Sequence, residues 1–251
     1  MLSNEMMGAF CLGVVWLNAL LIAMHVLQAR AALGAEAARL GVVVRGRVVR
    51  GEGGCLAEAR ITQRGRAITT RGPDRILFTE SSRTCRVGAG EIEALGEKLA
   101  VRPAEGASVW PLAAEGARVE TSFEDAFGAA STNRGVASEV RIALGNAGDE
   151  VWVAGVRDGN VLEARVVSDA DPRRVLASGR ARALAFVVAS LSVLGGITSL
   201  MLVRPWFTGW STFGGVLGVA YFLVVQPLAV SLREAIAVPS ARLRGGIWQR
   251  P

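Results

Sequence analysis

The residues able to do chemistry are few and scattered. Three cysteines stand at Cys11, Cys55 and Cys85, and the single histidine is His25. None forms a CxxC pair, and their spacing cannot build a structural zinc site from this chain alone. No nucleophile has a base beside it in sequence, and no phosphate-cradling glycine loop leads into a helix. Asp158, in "RDGNV", reads as a turn former with Gly159 and Asn160. Glu91, Glu93 and Glu97 read as a solvated helical or loop segment, and Glu124 with Asp125 as a loop. The expectation is a chain with no catalytic residue, metal ligand or cofactor of its own.

What would position side chains here is first of all a bilayer. Residues Gly8 to Gln28 carry no formal charge, nor do Ala183 to Val203, and a third such run follows Arg204 from Pro205 to Leu232. Each reaches the ~20 residues a helix needs to cross ~30 Å of hydrocarbon. Buried helices of a soluble protein are rarely so long and uncharged on every side. The leading residues MLSNEMM contain Glu5 and no Lys or Arg, so a retained anchor is expected rather than a cleaved signal. Asn18 and His25 are the polar residues of the first span, a polar pathway being the alternative to ordinary tolerance by packing. Pro227 is expected to bend or thin the third helix near its end, and Trp206 and Trp210 to sit in an interfacial belt. Gly214 and Gly218 form GxxxG, a small-residue face on which another helix can pack, in this chain or in a second copy.

The formal charge of +6 invites a nucleic-acid reading, but its distribution argues against one. Residues 51–172 hold 14 basic and 19 acidic side chains, whereas the excess of Arg lies beside the spans. Arg45, Arg47 and Arg50 precede this middle region, Arg173, Arg174, Arg180 and Arg182 follow it, and Arg233, Arg242, Arg244 and Arg250 fill the C-terminal end. A nucleic-acid groove would concentrate that charge on one face of the folded domain. By the positive-inside rule the domain and the tail lie in the cytoplasm and the N-terminus outside. The first two groups of arginines are also candidates for anionic lipid headgroups at the membrane surface. Lys98 is the only Lys among many Arg, Ala, Gly and Val residues, which points to a GC-rich bacterial genome and so to a bacterial inner membrane with reduced cysteines.

Between the first two spans the period changes to two. After a helical linker, Ala31 to Leu40, strands are expected in "GVVVRGRVVRG" and "AEARITQRGRAITTRG", which share an Arg-Gly-Arg triplet. Further strands are expected at Arg75–Thr79, Lys98–Arg102, Ala107–Trp110 and Val140–Leu144. The clearest pair is "VWVAGVR" and "VLEARVV", joined by Asp158, Gly159 and Asn160 as a hairpin. The fold class is therefore a membrane protein, α+β, with a β-rich domain inserted between the first and second of three transmembrane helices. Its parts are an anchor (1–30), a β-rich domain (31–182), a helical hairpin (183–232) and a basic tail (233–251).

Three stretches of this domain resemble the GIDE-type or "beside a membrane" domain of mitochondrial membrane-anchored ubiquitin ligases and their bacterial relatives. They are "GGCLAEARI", with Gly54 and Cys55; "LAVRPAEGASV", with Pro103 and Gly106; and "GDEVWVAGVRDGNVLEARVVSD", with Gly148, Asp149, Gly155, Ser168 and Asp169. Arg102 stands where the family has an acid, and residues 79–97 and 111–138 depart from its pattern. No RING-type Cys/His spacing is present, so ubiquitin transfer is not carried over. The resemblance implies a membrane-anchored binding or scaffolding module with a protein partner; membrane lipids as partners, and the expectation of no nucleic acid, come from the placement of charge. The alternatives are a membrane subunit of an enzyme, stress-response or defence complex, and a small transporter or channel subunit.

Overall fold

A computed structural model describes residues 4–68, 75–112, 127, 136–207, 209–239 and 245–249. The chain forms two compact units, a helical one (Met1–Glu36 with Leu176–Val238) and a β-rich one (Ala37–Val175 with Pro239–Pro251).

The helical unit holds three helices long and apolar enough to cross a membrane: α1 (Asn4–Arg39), α2 (Pro172–Met201) and α3 (Gly209–Ala235). The expected boundaries at 30/31 and 182/183 fall inside α1 and α2, because Ala-, Leu- and Arg-rich sequence continues a helix beyond its uncharged part. Pro227 lies within α3, which runs on to Ala235. The helices are joined by polar as well as apolar contacts. The Trp16 indole donates to Thr198 Oγ1 at 3.0 Å, and the Ser190 and Tyr221 hydroxyls are 2.5 Å apart. Ala19, Leu194, Ile197 and Tyr221 form the buried cluster between them. A β-carbon on Gly214 would meet the Met201 backbone nitrogen at 2.7 Å, and one on Gly218 would touch Val15 and Met201. The small-residue face is thus used inside the chain. In the turn between α2 and α3, the Trp206 ring occupies the space a side chain on Gly8 would need, and Arg204 pairs with Glu5. Trp206 is therefore packed against α1, whereas Trp210 remains exposed.

In the β-rich unit the strands are β1 (Val42–Gly51), β2 (Cys55–Ile68), β3 (Arg75–Val87), β4 (Gly90–Ala94), β5 (Glu97–Trp110), β6 (Val136–Asn146), β7 (Glu150–Asp158), β8 (Val161–Ser168) and β9 (Gly245–Gln249). Five of them close a barrel in the order β1-β4-β5-β8-β7. In chain order that is 1-2-3-5-4 with the third and fifth strands parallel, the connectivity of a Greek-key barrel of the OB type. Closure leaves the barrel no free edge. The other four strands form a second sheet, β6-β2-β3-β9, whose inner face shares one core with the barrel. Leu56, Ala57 and Ala59 from β2 and Leu144 from β6 meet Val48, Ile92, Leu99, Val101, Val153 and Leu162 there.

Three expectations are corrected. Glu91 and Glu93 belong to β4, where Ile92 and Ala94 are buried and Glu91 pairs with Arg50 at 2.7 Å. Glu97 opens β5 and pairs with Arg157 at 2.9 Å. The basic tail is no free tail, since Gly245–Gln249 pairs antiparallel with β3. The two short strands at 98–102 and 107–110 are one strand with a register shift between Pro103 and Ser108. Glu124 and Asp125 lie outside the described residues. The 158–160 hairpin is present, with Gly159 alone at positive φ (54°), so the turn is of the II′ kind.

Candidate interaction surface

The period of two along β2 separates two chemistries. Ala57, Ala59, Ile61 and Gly65 are buried, while Arg60, Arg64 and Arg66 are exposed with Glu58 and Thr62 partly so. The same alternation acts in β1, where Gly46 is buried between exposed Arg45 and Arg47. An Arg-Gly-Arg triplet thus places two cations outward and a backbone-only residue inward. Opposite the outer side of β2, the register of β3 sets Arg86 beside Glu58, Thr84 beside Arg60 and Ser82 beside Thr62. The outer face of the second sheet is consequently a field of Arg, Thr and Ser side chains. Arg60 bonds Glu58 at 3.0 Å and Arg86 reaches Glu52 at 3.4 Å; exposed pairs like these contribute about 0–1 kcal/mol each.

Beneath that face lies a polar pair with the opposite energetics. β3 carries one extra residue at Ser81, so Thr62 faces Ser82 while Gln63 faces Glu80. The bulge turns Glu80 and Arg83, three residues apart, to the same inner side. Their side chains are 2% and 6% exposed, and Arg83 Nη2 donates to Glu80 Oε2 at 2.5 Å. Arg83 Nη1 donates to the Pro239 carbonyl at 3.1 Å, fixing the chain that returns from α3 to β9. Nothing in the sequence around these two residues signals the pair.

The motif positions are found at the bends of the fold. Gly54 (φ 94°), Gly106 (φ 72°) and Gly148 (φ 93°) take the left-handed region. Asp149 Oδ2 accepts from the Asn146 backbone and side-chain amides, both at 3.0 Å, closing the β6–β7 turn. Gly155 sits at a bulge where a β-carbon would fall 1.9 Å from the Glu163 carbonyl oxygen. Ser168 donates to the Trp110 carbonyl at 2.9 Å and accepts from Ala170 N–H, while Asp169 accepts from Leu112 N–H at 2.6 Å. Those two residues sew the end of β5 to the end of β8. Pro103 marks the register shift in β5. Asp171, two residues beyond, caps α2 by accepting from the Arg173 and Arg174 amides, with Pro172 at the first helical position.

Cys55 borders a polar niche of about 290 Å³ with Glu52, Glu58 and Arg86. Burial pushes its thiol above the usual range and the Glu58 carboxylate adds to this, against the opposing pull of Arg86. Cys85 faces Ala59, four residues along β2 from Cys55. That spacing is roughly 13 Å of strand, beyond the ~7 Å a disulfide spans, and both thiols are free. Among the described residues no three His, Cys, Asp or Glu side chains converge as metal ligands.

The arginines expected at a lipid surface divide into two kinds. Arg45 pairs with Glu150 and lies 5.8 Å from the Trp152 ring centroid, Arg50 pairs with Glu91, and Arg47 is in register with Glu93 and Glu150. These belong to the charge pattern of the barrel wall. Arg173 donates to the Gly41 carbonyl at 2.8 Å, and Arg165 to the Arg39 carbonyl at 3.0 Å, so both bind carbonyls where α1 ends. Arg174, Arg180 and Arg182 are exposed along the first turns of α2. No family model matches the chain, and neither a curated protein nor a solved structure is similar to it.

Proposed function

We propose that the chain is a membrane-anchored binding module that presents its β-rich unit to a protein partner. The outer face of the second sheet carries this reading: Arg60, Arg64, Arg66 and Arg86 stand among Thr and Ser side chains, with Glu58 in their midst, Glu52 beside Arg86, and Glu139 of β6 in register with Thr62. Such a face fits an acidic protein segment, because charge complementarity speeds encounter and selects partners. A kinship with GIDE-type domains belongs to the same reading, supported by motif residues that serve the backbone at its bends. Charge reversal tests it: Arg60→Glu with Arg64→Glu and Arg66→Glu in the full chain, purified from gently solubilised membranes. The proteins retained by the parent, and by an Arg102→Glu control on the barrel, are expected to be lost from the triple variant. An unchanged set in all three would refute this docking face.

The reading includes the topology. We read α2 and α3 as crossing and returning, so that the segment after α3 lies on the side of the β-rich unit; the pairing of β9 with β3 supports this reading. The Arg-rich span ends favour the cytoplasm of a bacterial inner membrane for that side, where Arg180 and Arg182 meet anionic headgroups. A cysteine at Ser240, in a background lacking the three native cysteines, is expected to resist a membrane-impermeant thiol reagent in intact cells and to react after permeabilisation. A cysteine at Ser3 is expected to do the reverse, and efficient labelling of Ser240→Cys in intact cells would turn the topology over.

A further inference from the structure

Within the helical unit, α1 and α3 border an open groove of about 820 Å³. Its α1 wall includes Cys11, Asn18 and His25, spaced by seven residues, and its α3 wall includes Gly215, Val219 and Gln226. A repeat of seven drifts only ~20° around a helix, so the three α1 residues form one seam. Cys11, Asn18, His25 and Gln226 are all exposed. Asn18 gives one amide N–H to the Val14 carbonyl at 2.9 Å, and neither His25 nor Gln226 has a hydrogen-bond partner among the described residues.

In hydrocarbon these amides and the imidazole need partners that acyl chains cannot supply, and hydrogen bonds between helices are the usual source. The occupant therefore brings donors and acceptors at matching depths. Copies of one chain inserted with one topology are related by an axis along the membrane normal, so each residue meets its own counterpart at its own depth. An Asn amide and a neutral imidazole are each donor and acceptor, so each complements itself. The Gly214 and Gly218 face is already taken up by α2 and α1. We propose that the groove is the interface of a parallel dimer, in which α1 of a second copy docks along the Cys11, Asn18 and His25 seam, with Gln226 as a flanking hydrogen-bond partner.

The native Cys11 reports on this directly. With Cys55 and Cys85 replaced by Ala, mild oxidation of native membranes is expected to give a disulfide-linked species of twice the chain mass. Asn18→Cys, in a chain without other cysteines, is expected to do the same, and Leu20→Cys, exposed elsewhere on α1, to give several times less. Asn18→Leu is expected to weaken the dimer in detergent by roughly threefold in dissociation constant. Equal yields at positions 18 and 20, or monomers throughout, would overturn the dimer. So would a lipid or a different protein captured at positions 11 and 18 in its place.

Discussion

Replacing Arg83 by Met is expected to destabilise the β-rich unit by about 3 kcal/mol, the scale set by removing one partner of a buried ion pair. The Glu80 side chain, 2% exposed, would lose its cation and stay in a site made by the β3 bulge. The loss would also reach β9, since Arg83 holds the Pro239 carbonyl just ahead of it. Denaturant unfolding of the purified protein gives the first number, and hydrogen exchange at Gly245–Gln249 gives the second. Replacing Glu80 and Arg83 together by Met removes both charges and is expected to recover most of the loss, as apolar replacements of buried pairs commonly do. If the single and double variants unfold at the same denaturant concentration, the pair is not the origin of the effect.

That pair also shows where reading a sequence stops. Alternation made β1, β2 and β8 legible, because one side of each strand is buried and the other carries charge, whereas β7, buried on both sides from Val153 to Gly155, was legible from its apolar run and the turn at Gly159. The same alternation is present in β4 as Glu91, Ile92, Glu93 and Ala94, but in five residues otherwise made of Gly, Glu and Ala a single β-branched side chain, Ile92, is too little to mark a strand. β9 was illegible for a different reason. "GGIWQ" has no period long enough to read, and it is a strand only because β3 offers an edge far away in sequence. Glu80 and Arg83 should point to opposite sides of a regular strand, and only the extra residue at Ser81 reverses this. The uncharged helices were visible by length alone. Their packing partners, such as Gly8 under Trp206 or Thr198 under Trp16, required coordinates.

Gly155→Ala is expected to cost about 3 kcal/mol, at the upper end of overpacking penalties, although it adds a single methyl group. The β-carbon would lie 1.9 Å from the Glu163 carbonyl oxygen and 3.1 Å from the Ala164 α-carbon. Both are backbone atoms of the neighbouring strand, so no side chain can swing away to make room. The Gly155 carbonyl in turn approaches Gly41, where a β-carbon would meet it at 2.3 Å, so a shift of β7 meets the chain that leaves α1. Gly159→Val is the instructive comparison. Gly159 has φ 54° with open space around it, so the larger side chain meets only backbone strain, about 1–2 kcal/mol. The order of stabilities is therefore parent, Gly159→Val, Gly155→Ala, against the order of added volume. Limited proteolysis of membranes carrying each chain can rank them without purification. A Gly155→Ala protein that survives longer than Gly159→Val would mean that β7 and β8 do not approach as closely at this bulge as the register between Ala154 and Gly155 requires.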